Sequence, residues 1–143
     1  MKNLLFITIL LFSISCNQEK EQTQYKNLVI KYNSTNNIQK KLGYIIEGIN
    51  LSCPTMINND IRFDKVINGE NKEMIYLYTY VNLYKNEITW LNTKEMKEKL
   101  INLIKSNPYF SFYRKNKISF SYIFRDKEGI YVGKFKINSN EIK

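Results

Sequence analysis

The segment from Lys72 to Leu83 constrains the fold most, because its side chains alternate between two faces as they do in a β-strand. The segment 61–67 before it alternates in the same way, and Asn68-Gly69-Glu70-Asn71 between the two is a strong turn sequence. We therefore predict a β-hairpin. In its second strand, one face carries Met74, Tyr76, Tyr78 and Tyr80, and the other carries Ile75, Leu77, Thr79 and Val81.

Two helices are predicted from the spacing of apolar residues. Residues 36–51 place apolar side chains on one helical face, with Ser34 or Thr35 as the N-cap. Residues 94–106 do the same, with Thr93 as the N-cap. Each helix is followed within a few residues by a proline, which cannot continue it.

Two further strands are predicted near the C-terminus, at 118–125 and 130–137, on either side of a turn at 126–129. The order of elements is then α-β-β-α-β-β. This order predicts an α+β fold of two layers, with the helices packed on one face of a roughly four-stranded antiparallel sheet.

The N-terminus has the features of an export signal. Lys2 supplies a positive charge, residues 4–14 are mostly apolar, and small residues follow. The apolar stretch is too short for an ordinary spanning helix, which needs about 20 apolar residues. We predict a signal peptide over residues 1–15.

The end of this signal, Ser13-Ile14-Ser15-Cys16, resembles the lipobox of bacterial lipoproteins, although Ser13 stands where an aliphatic residue is usual. The resemblance implies that Cys16 is acylated and anchors the protein in a membrane. A plain exported protein and a retained N-terminal anchor are the alternatives. The polar segment 16–27 is expected to be a flexible tether. Residues 28–143 have the length of a single domain.

The charge of the chain is uneven. The full chain carries a net charge of +9, and residues 94–143 hold +7 of it, with 12 Lys and Arg against 5 Asp and Glu. A basic surplus suits an anionic partner such as lipid headgroups, a surface polymer or an acidic envelope protein. Nucleic acid is not expected for an exported protein. The alternative is that the charge only keeps a Lys-rich chain soluble.

Histidine is absent from the sequence, which removes Ser-His-Asp and Cys-His nucleophile arrangements and the common His metal sites. No phosphate-binding glycine loop is present, and we expect neither metal nor cofactor. Cys53 is either a reactive or pairing thiol or a small buried apolar residue. Asp60, Arg62 and Asp64 alternate along a strand and are expected to form an ion-pair cluster rather than a catalytic carboxylate pair.

Two aromatic stripes run along neighbouring predicted strands. They are a candidate partner surface rimmed by basic residues, because tyrosine is favoured at interfaces. The alternative is that a helix covers them as part of the core. The residues of this candidate surface are Tyr76, Tyr78, Tyr80, Phe120, Tyr122, Phe124, Lys134 and Lys136.

A wider resemblance covers residues 53–82 and the turn at 125–129 with its strands. These segments are similar to a family of small exported bacterial proteins of unknown function. That family has a Pro-x-Met segment, an Arg-Leu-Asp segment and a Tyr-x-Tyr-Thr strand. The matching positions are Pro54, Met56, Arg62, Asp64, Tyr78 and Thr79, with Phe63 in place of the leucine. The resemblance carries no catalytic or binding role.

These observations predict a lipid-anchored protein of the cell envelope that is not an enzyme and acts as a binding or assembly module. Two other functions stay open. One is an envelope inhibitor or immunity-type protein. The other, less favoured, is an envelope enzyme that uses carboxylates or Cys53.

Overall fold

The computed structural model describes residues 18–88, 91 and 93–143. The predicted signal peptide (1–15) and the predicted lipidation site Cys16 lie outside the described residues. Short 3₁₀ turns occupy Lys85–Glu87 and Pro108–Phe110. The helices and strands, in chain order, are α1 (Gln18–Asn33), α2 (Ile38–Asn50), β1 (Thr55–Met56), β2 (Ile61–Asn68), β3 (Glu73–Tyr80), α3 (Thr93–Ser106), α4 (Ser111–Lys115), β4 (Ser119–Arg125) and β5 (Tyr131–Ile137).

Both predicted helices are present, and both differ from the prediction at the N-terminal end, since Thr93, the predicted N-cap of the second helix, is its first helical residue. The side chain of Asn37, and not Ser34 or Thr35, caps α2 by accepting a hydrogen bond from the backbone N–H of Lys40 at 3.0 Å. Asparagine is as good an N-cap as serine, so the nearer residue takes the position. The predicted helix 94–106 corresponds to α3.

The described strands form one sheet in the order β1-β2-β3-β4-β5, which confirms the α+β prediction with five strands in place of four. The hairpins β2–β3 and β4–β5 are antiparallel, as predicted. The central pair β3–β4 is parallel, with Tyr76 opposite Tyr122, so the expectation of a wholly antiparallel sheet was wrong. The cause is the connection: the segment containing α3 returns the chain to the end of the sheet where β3 began.

The first hairpin has the predicted turn, but its second strand is shorter than predicted. Asn71 and Lys72 adopt positive φ angles of 53° and 60°, the left-handed conformation that tight turns need. After the turn, β3 ends at Tyr80 rather than at Leu83.

The core lies between one face of the sheet and the helices. Leu42 and Ile46 of α2 and Ile104 of α3 are buried against it. α2 contacts β2 and α3 contacts β5, and the two helices lie on the same side of the sheet because their buried residues belong to one core cluster. This arrangement is the predicted two-layer packing.

The segment before the domain differs from the prediction. Residues 18–27 were expected to belong to a flexible tether, and in the structure they are the first part of α1. α1 packs on α2, where a Cβ atom on Gly48 would lie 3.9 Å from both Leu28 and Tyr25. The ammonium of Lys41 also lies 4.6 Å from the ring centre of Tyr32. We attribute the helical conformation of this polar segment to its contacts with α2. None of the helices in the described ranges is long and apolar enough to cross a membrane.

Candidate binding face

The structure places the two aromatic stripes in the core. Tyr78, Tyr80, Phe120, Tyr122 and Phe124 are between 1% and 7% exposed. Their rings stack across the strands, with ring centres 5.3 Å apart for Tyr78 and Phe124 and 5.1 Å apart for Tyr76 and Tyr122. The alternative reading, core packing beneath the helices, is therefore the one the structure adopts.

The two lysines assigned to the rim of that surface lie on the other side of the sheet. In β5 the buried residues Phe135 and Ile137 alternate with the exposed Lys134 and Lys136. Because successive side chains of a strand point to opposite faces, these lysines and the aromatic stripes cannot share a surface.

The buried tyrosines stay neutral at physiological pH. Burial raises the pKa of Tyr113 to about 12, and the nearby Tyr32 adds to the shift. Burial raises the pKa of Tyr78 and of Tyr122 still further, with neighbouring tyrosines as a second cause. A phenolate would be costly in this apolar layer, so these hydroxyl groups have no role as bases.

The opposite face of the sheet is not covered by any described helix, and we call it the open face. Four apolar residues lie on it and are not packed against the buried core, namely Ile67, Ile75, Leu77 and Ile123. A solvated sheet face usually carries polar residues at such positions. The open face is therefore more apolar than a sheet face in contact with water usually is.

Charged residues surround these apolar side chains in rows that run across the strands. One row places Lys65 beside Leu77, Leu77 beside Ile123 and Ile123 beside Lys134. A second row runs Ile67, Ile75, Ser121 and Lys136. Lys65 and Lys134 thus bound the apolar residues of the first row on both sides, and Lys136 bounds the second row on the β5 side only.

Part of the predicted ion-pair cluster forms on this face. The Nε atom of Arg62 lies 2.6 Å from the Asp64 carboxylate, and the hydroxyl of Thr79 donates to the same carboxylate at 2.6 Å. The register between β2 and β3 shifts at Asp64, which places both Asp64 and Lys65 on the open face. Asp60 lies before this strand, exposed, and forms no ion pair within the described part of the chain.

A second carboxylate on the open face is held by three strands. Glu73 of β3 accepts a hydrogen bond from Ser121 of β4 at 2.5 Å and lies 2.9 Å from the ammonium of Lys136 of β5. Burial alone would raise the pKa of Glu73, but the hydrogen bonds from Ser121 and Lys136 and the nearby lysine charges lower it. The carboxylate stays ionised and is a poor base.

The open face has a positive surplus. Its strand positions carry five cations, Arg62, Lys65, Arg125, Lys134 and Lys136, against the two carboxylates of Asp64 and Glu73. Each carboxylate is already matched by one cation. Lys65, Arg125 and Lys134 form no ion pair with a residue that the structure describes.

Cys53 lies half-buried between α2 and β1, where its thiol donates to the carbonyl of Ile49 at 3.6 Å. Burial, with the nearby Asp64 charge as a second cause, raises the pKa of the Cys53 thiol to about 11. Thiolate is the reactive form, so this cysteine is a weak nucleophile at neutral pH. The structure thus favours the interpretation of Cys53 as a packed apolar residue.

Two other kinds of site could occur in the described residues: metal sites and surface grooves. The described residues contain no group of acidic or cysteine side chains that could hold a metal ion. A groove of about 450 Å³ lies between α1 and α2 and is lined mainly by polar residues such as Gln24, Lys31 and Glu47.

Two features of the open face were not predicted from the sequence: the contact between Glu73 and Ser121 and the apolar centre. Glu73 and Ser121 meet only because β3 and β4 are parallel, and the sequence contains no local signal for that pairing. The apolar centre did have a sequence signal, because β3 is apolar at every position from Met74 to Tyr78, including Ile75 and Leu77. Such a run is typical of a strand that is covered on both faces.

The fold and its faces define a two-layer α+β protein with helices on one side of a five-stranded sheet and a basic, partly apolar open face on the other. The chain belongs to the family described as "Domain of unknown function (DUF8479)", which matches residues 36–131.

Two solved structures share the fold. A Pseudomonas aeruginosa protein described as secreted superposes with a TM-score of 0.60 at 15% identity, over 76% of this chain and 100% of that one. The pilotin EpsS of the Vibrio vulnificus type 2 secretion system superposes with a TM-score of 0.50 at 10% identity, over 89% of this chain and 98% of that one. No curated protein matches the sequence.

Proposed function

We propose that this protein is a non-enzymatic binding or assembly module of the bacterial cell envelope, held at a membrane by a lipid on Cys16. The observation that carries the proposal is the open face: apolar side chains at the centre of a sheet, bounded by lysines, with no described element over them. Exposed apolar surface with a polar rim is typical of a binding site for another macromolecule.

The chemistry of the polar groups supports binding rather than catalysis. The two carboxylates on the open face are each neutralised by a cation, and the thiol of Cys53 has a raised pKa. A catalytic pair needs two groups whose pKa values are pushed apart within one cleft. Asp64 and Glu73 are on neighbouring strands, but each lies in its own ion pair.

The sequence before the domain supports a membrane location. The export signal and the lipobox-like Ser13-Ile14-Ser15-Cys16 precede α1 by a single residue, Asn17. A lipid on Cys16 would therefore hold the domain through a helix that packs on α2. One of the two proteins with this fold is a pilotin and the other is described as secreted, which agrees with a role in the envelope.

The location is tested by fractionating cells that produce the full chain or its Cys16→Ser variant. The proposal expects the wild type in the membrane fraction and the variant, if exported, in the soluble envelope fraction. An identical soluble distribution of the two proteins would contradict it.

The absence of catalysis is tested by replacing Asp60 and Cys53 singly and measuring the cellular phenotype that deletion of the gene produces. The proposal expects that Cys53→Ala and Asp60→Asn keep the phenotype of the wild type. Loss of function in either variant, with an unchanged circular dichroism spectrum, would favour an enzyme.

A further inference from the structure

We propose that the open face binds an acidic amphipathic helix of a partner protein, laid along β3 and β4 between Lys65 on one side and Lys134 and Lys136 on the other. This inference rests on the proposed function and names the site and the chemical class of the partner. In the complex, the sheet would lie between two helical layers: α2 and α3 on one face and the partner helix on the open face.

The first argument is the apolar content of β3 and β4. Ile75 and Leu77 lie on the open face of β3, Ile123 lies beside Leu77 on β4, and all three are only partly exposed. Burial against a partner would remove from water the apolar area that these side chains still expose, and this stabilises a complex. These residues offer that stabilisation to a partner, since the core of this chain does not use them.

The second argument is the width of the apolar strip. Lys65 of β2 and Lys134 of β5 bound it on either side, with Leu77 and Ile123 between them. Neighbouring strands lie about 4.8 Å apart, so the two lysine backbones are separated by roughly 14 Å across three strand spacings. An α-helix with its side chains is about 10 Å wide, which fits between the two lysines.

The third argument is charge. Lys65, Arg125 and Lys134 have no ion-pair partner among the described residues, and together they border the apolar strip. Carboxylates on both flanks of a bound helix would reach them. Complementary charges of this kind speed association and select the partner.

Charge also decides against two other occupants. A second copy of this chain would bring the same net charge of +3 against the first, from five cations and two carboxylates on each open face, and would be repelled. A lipid surface is flat and would meet the long lysine and arginine side chains before the half-buried Ile75, Leu77 and Ile123. A narrow helix can reach those residues.

The test is photo-crosslinking in the host cell with the full chain. The crosslinking amino acid p-benzoyl-phenylalanine replaces Ile123 at the centre of the open face, and in a control strain it replaces Lys40 on the exposed side of α2. The expected result is a product specific to position 123, in which mass spectrometry identifies a peptide with apolar residues at helical spacing flanked by Asp or Glu.

The identified peptide is then synthesised and titrated against the purified protein. The double variant Lys65→Glu/Lys134→Glu is expected to weaken binding about tenfold or more, because both flanking contacts become repulsive. The matched control Lys40→Glu/Lys94→Glu makes the same change in net charge away from the open face and should keep the wild-type affinity.

Several outcomes would overturn the inference. These are crosslinks at position 123 no stronger than at position 40, products that contain lipid alone, a peptide without acidic flanks, or equal weakening in the control variant. The result is separable from the proposed location. A protein that fractionates as soluble could still bind an acidic helix, and a membrane-anchored protein could lack this site.

Discussion

The side-chain amide of Asn50 pairs with both backbone groups of Val66. Its Nδ2 donates to the Val66 carbonyl at 2.8 Å, and its Oδ1 accepts from the Val66 N–H at 2.8 Å. The short strand β1 pairs only with residues 62 and 63 of β2, so the outer edge of β2 lacks a strand partner at Val66. Asn50, the last residue of α2, takes the place of that strand and fixes the helix to the edge of the sheet.

Replacing Asn50 with alanine should therefore destabilise the domain. The variant removes two hydrogen bonds and leaves partly buried backbone groups unpaired, which costs about 1–3 kcal/mol. Urea unfolding followed by circular dichroism measures the difference. Asn36→Ala is the matched control, since Asn36 is exposed in the loop before α2. An equal stability of the two variants would show that the Asn50–Val66 pairing contributes nothing.

Asp126 gives a prediction of pH dependence. Its buried carboxylate accepts hydrogen bonds from the backbone N–H groups of Lys85, Glu128 and Ile130, and so ties the loop after β3 to the β4–β5 turn. Burial alone would raise the pKa of Asp126, but these donors outweigh it and lower the pKa. A lowered pKa in the folded state means that the carboxylate stabilises the fold above the unfolded-state pKa. That stabilisation is lost as the pH falls through the folded-state pKa.

The variant Asp126→Asn should thus melt at a lower temperature than the wild type at pH 7. The gap should shrink as the pH is lowered below about 4, near the pKa of an unfolded aspartate. Thermal melts from pH 7 to pH 2.5 measure this, with the exposed Asp60→Asn as the control. A gap that stays constant over this range would contradict the assignment.

Arg114 closes the end of α3. Its Nη1 donates to the carbonyl of Ile104, which lies in the last turn of the helix where carbonyl groups lack intrahelical partners, and to the carbonyl of Asn107, the residue after the helix. Hydrogen bonds from a charged donor contribute about 1.5–3 kcal/mol, so Arg114→Ala should lose free energy of unfolding in that range. Lys115→Ala, which alters the exposed neighbour, should lose far less. Similar losses from both variants would remove Arg114 from this role.

The two faces of β3 predict opposite responses at neighbouring residues. Tyr78 is 6% exposed in the core, and its truncation to alanine should cost about 3–5 kcal/mol. Leu77 is on the open face, so Leu77→Ala should cost only about 1 kcal/mol. Chemical unfolding of the two variants compares them directly. A larger loss at Leu77 would mean that the open face is covered in the free protein.

Cys53 should react slowly with alkylating reagents. Its thiol has a pKa of about 11, raised first by burial and second by the charge of Asp64. The rate of reaction with iodoacetamide should therefore keep rising with pH beyond 9, because thiolate is the reacting species. The protein unfolded in guanidinium chloride is the control, and its rate should reach half of its maximum near pH 8.5, the ordinary pKa of cysteine. A folded protein whose rate reaches half of its maximum at the same pH would be inconsistent with the buried thiol.

Local patterns predicted most of the elements, and the pairing of distant elements explains the differences. Alternation located both hairpins, and helical spacing located α2 and α3. The parallel pairing of β3 with β4 depends on the path of the chain between Tyr80 and Ser119, which no local pattern encodes. The aromatic stripes illustrate the same point. Tyr76 to Tyr80 are visible as a stripe in the sequence, but the helices decide which face of the sheet becomes the core.

The segment after the predicted signal differs for a related reason. Residues 18–27 are polar, and their sequence alone resembles a tether. We attribute their helical conformation to packing against α2, where Tyr25 and Leu28 of α1 lie beside Gly48. Helices in proteins are stabilised mostly by packing, and a tertiary contact of this kind cannot be read from the segment itself.

The most direct test of a membrane-anchored envelope module is the intact mass of the protein extracted from membranes, measured beside a Cys16→Ser variant. The account predicts a wild-type chain that begins at Cys16 and carries acyl chains, and a variant that lacks this species. An unacylated wild-type chain with a free Cys16 thiol in the soluble fraction would contradict the account.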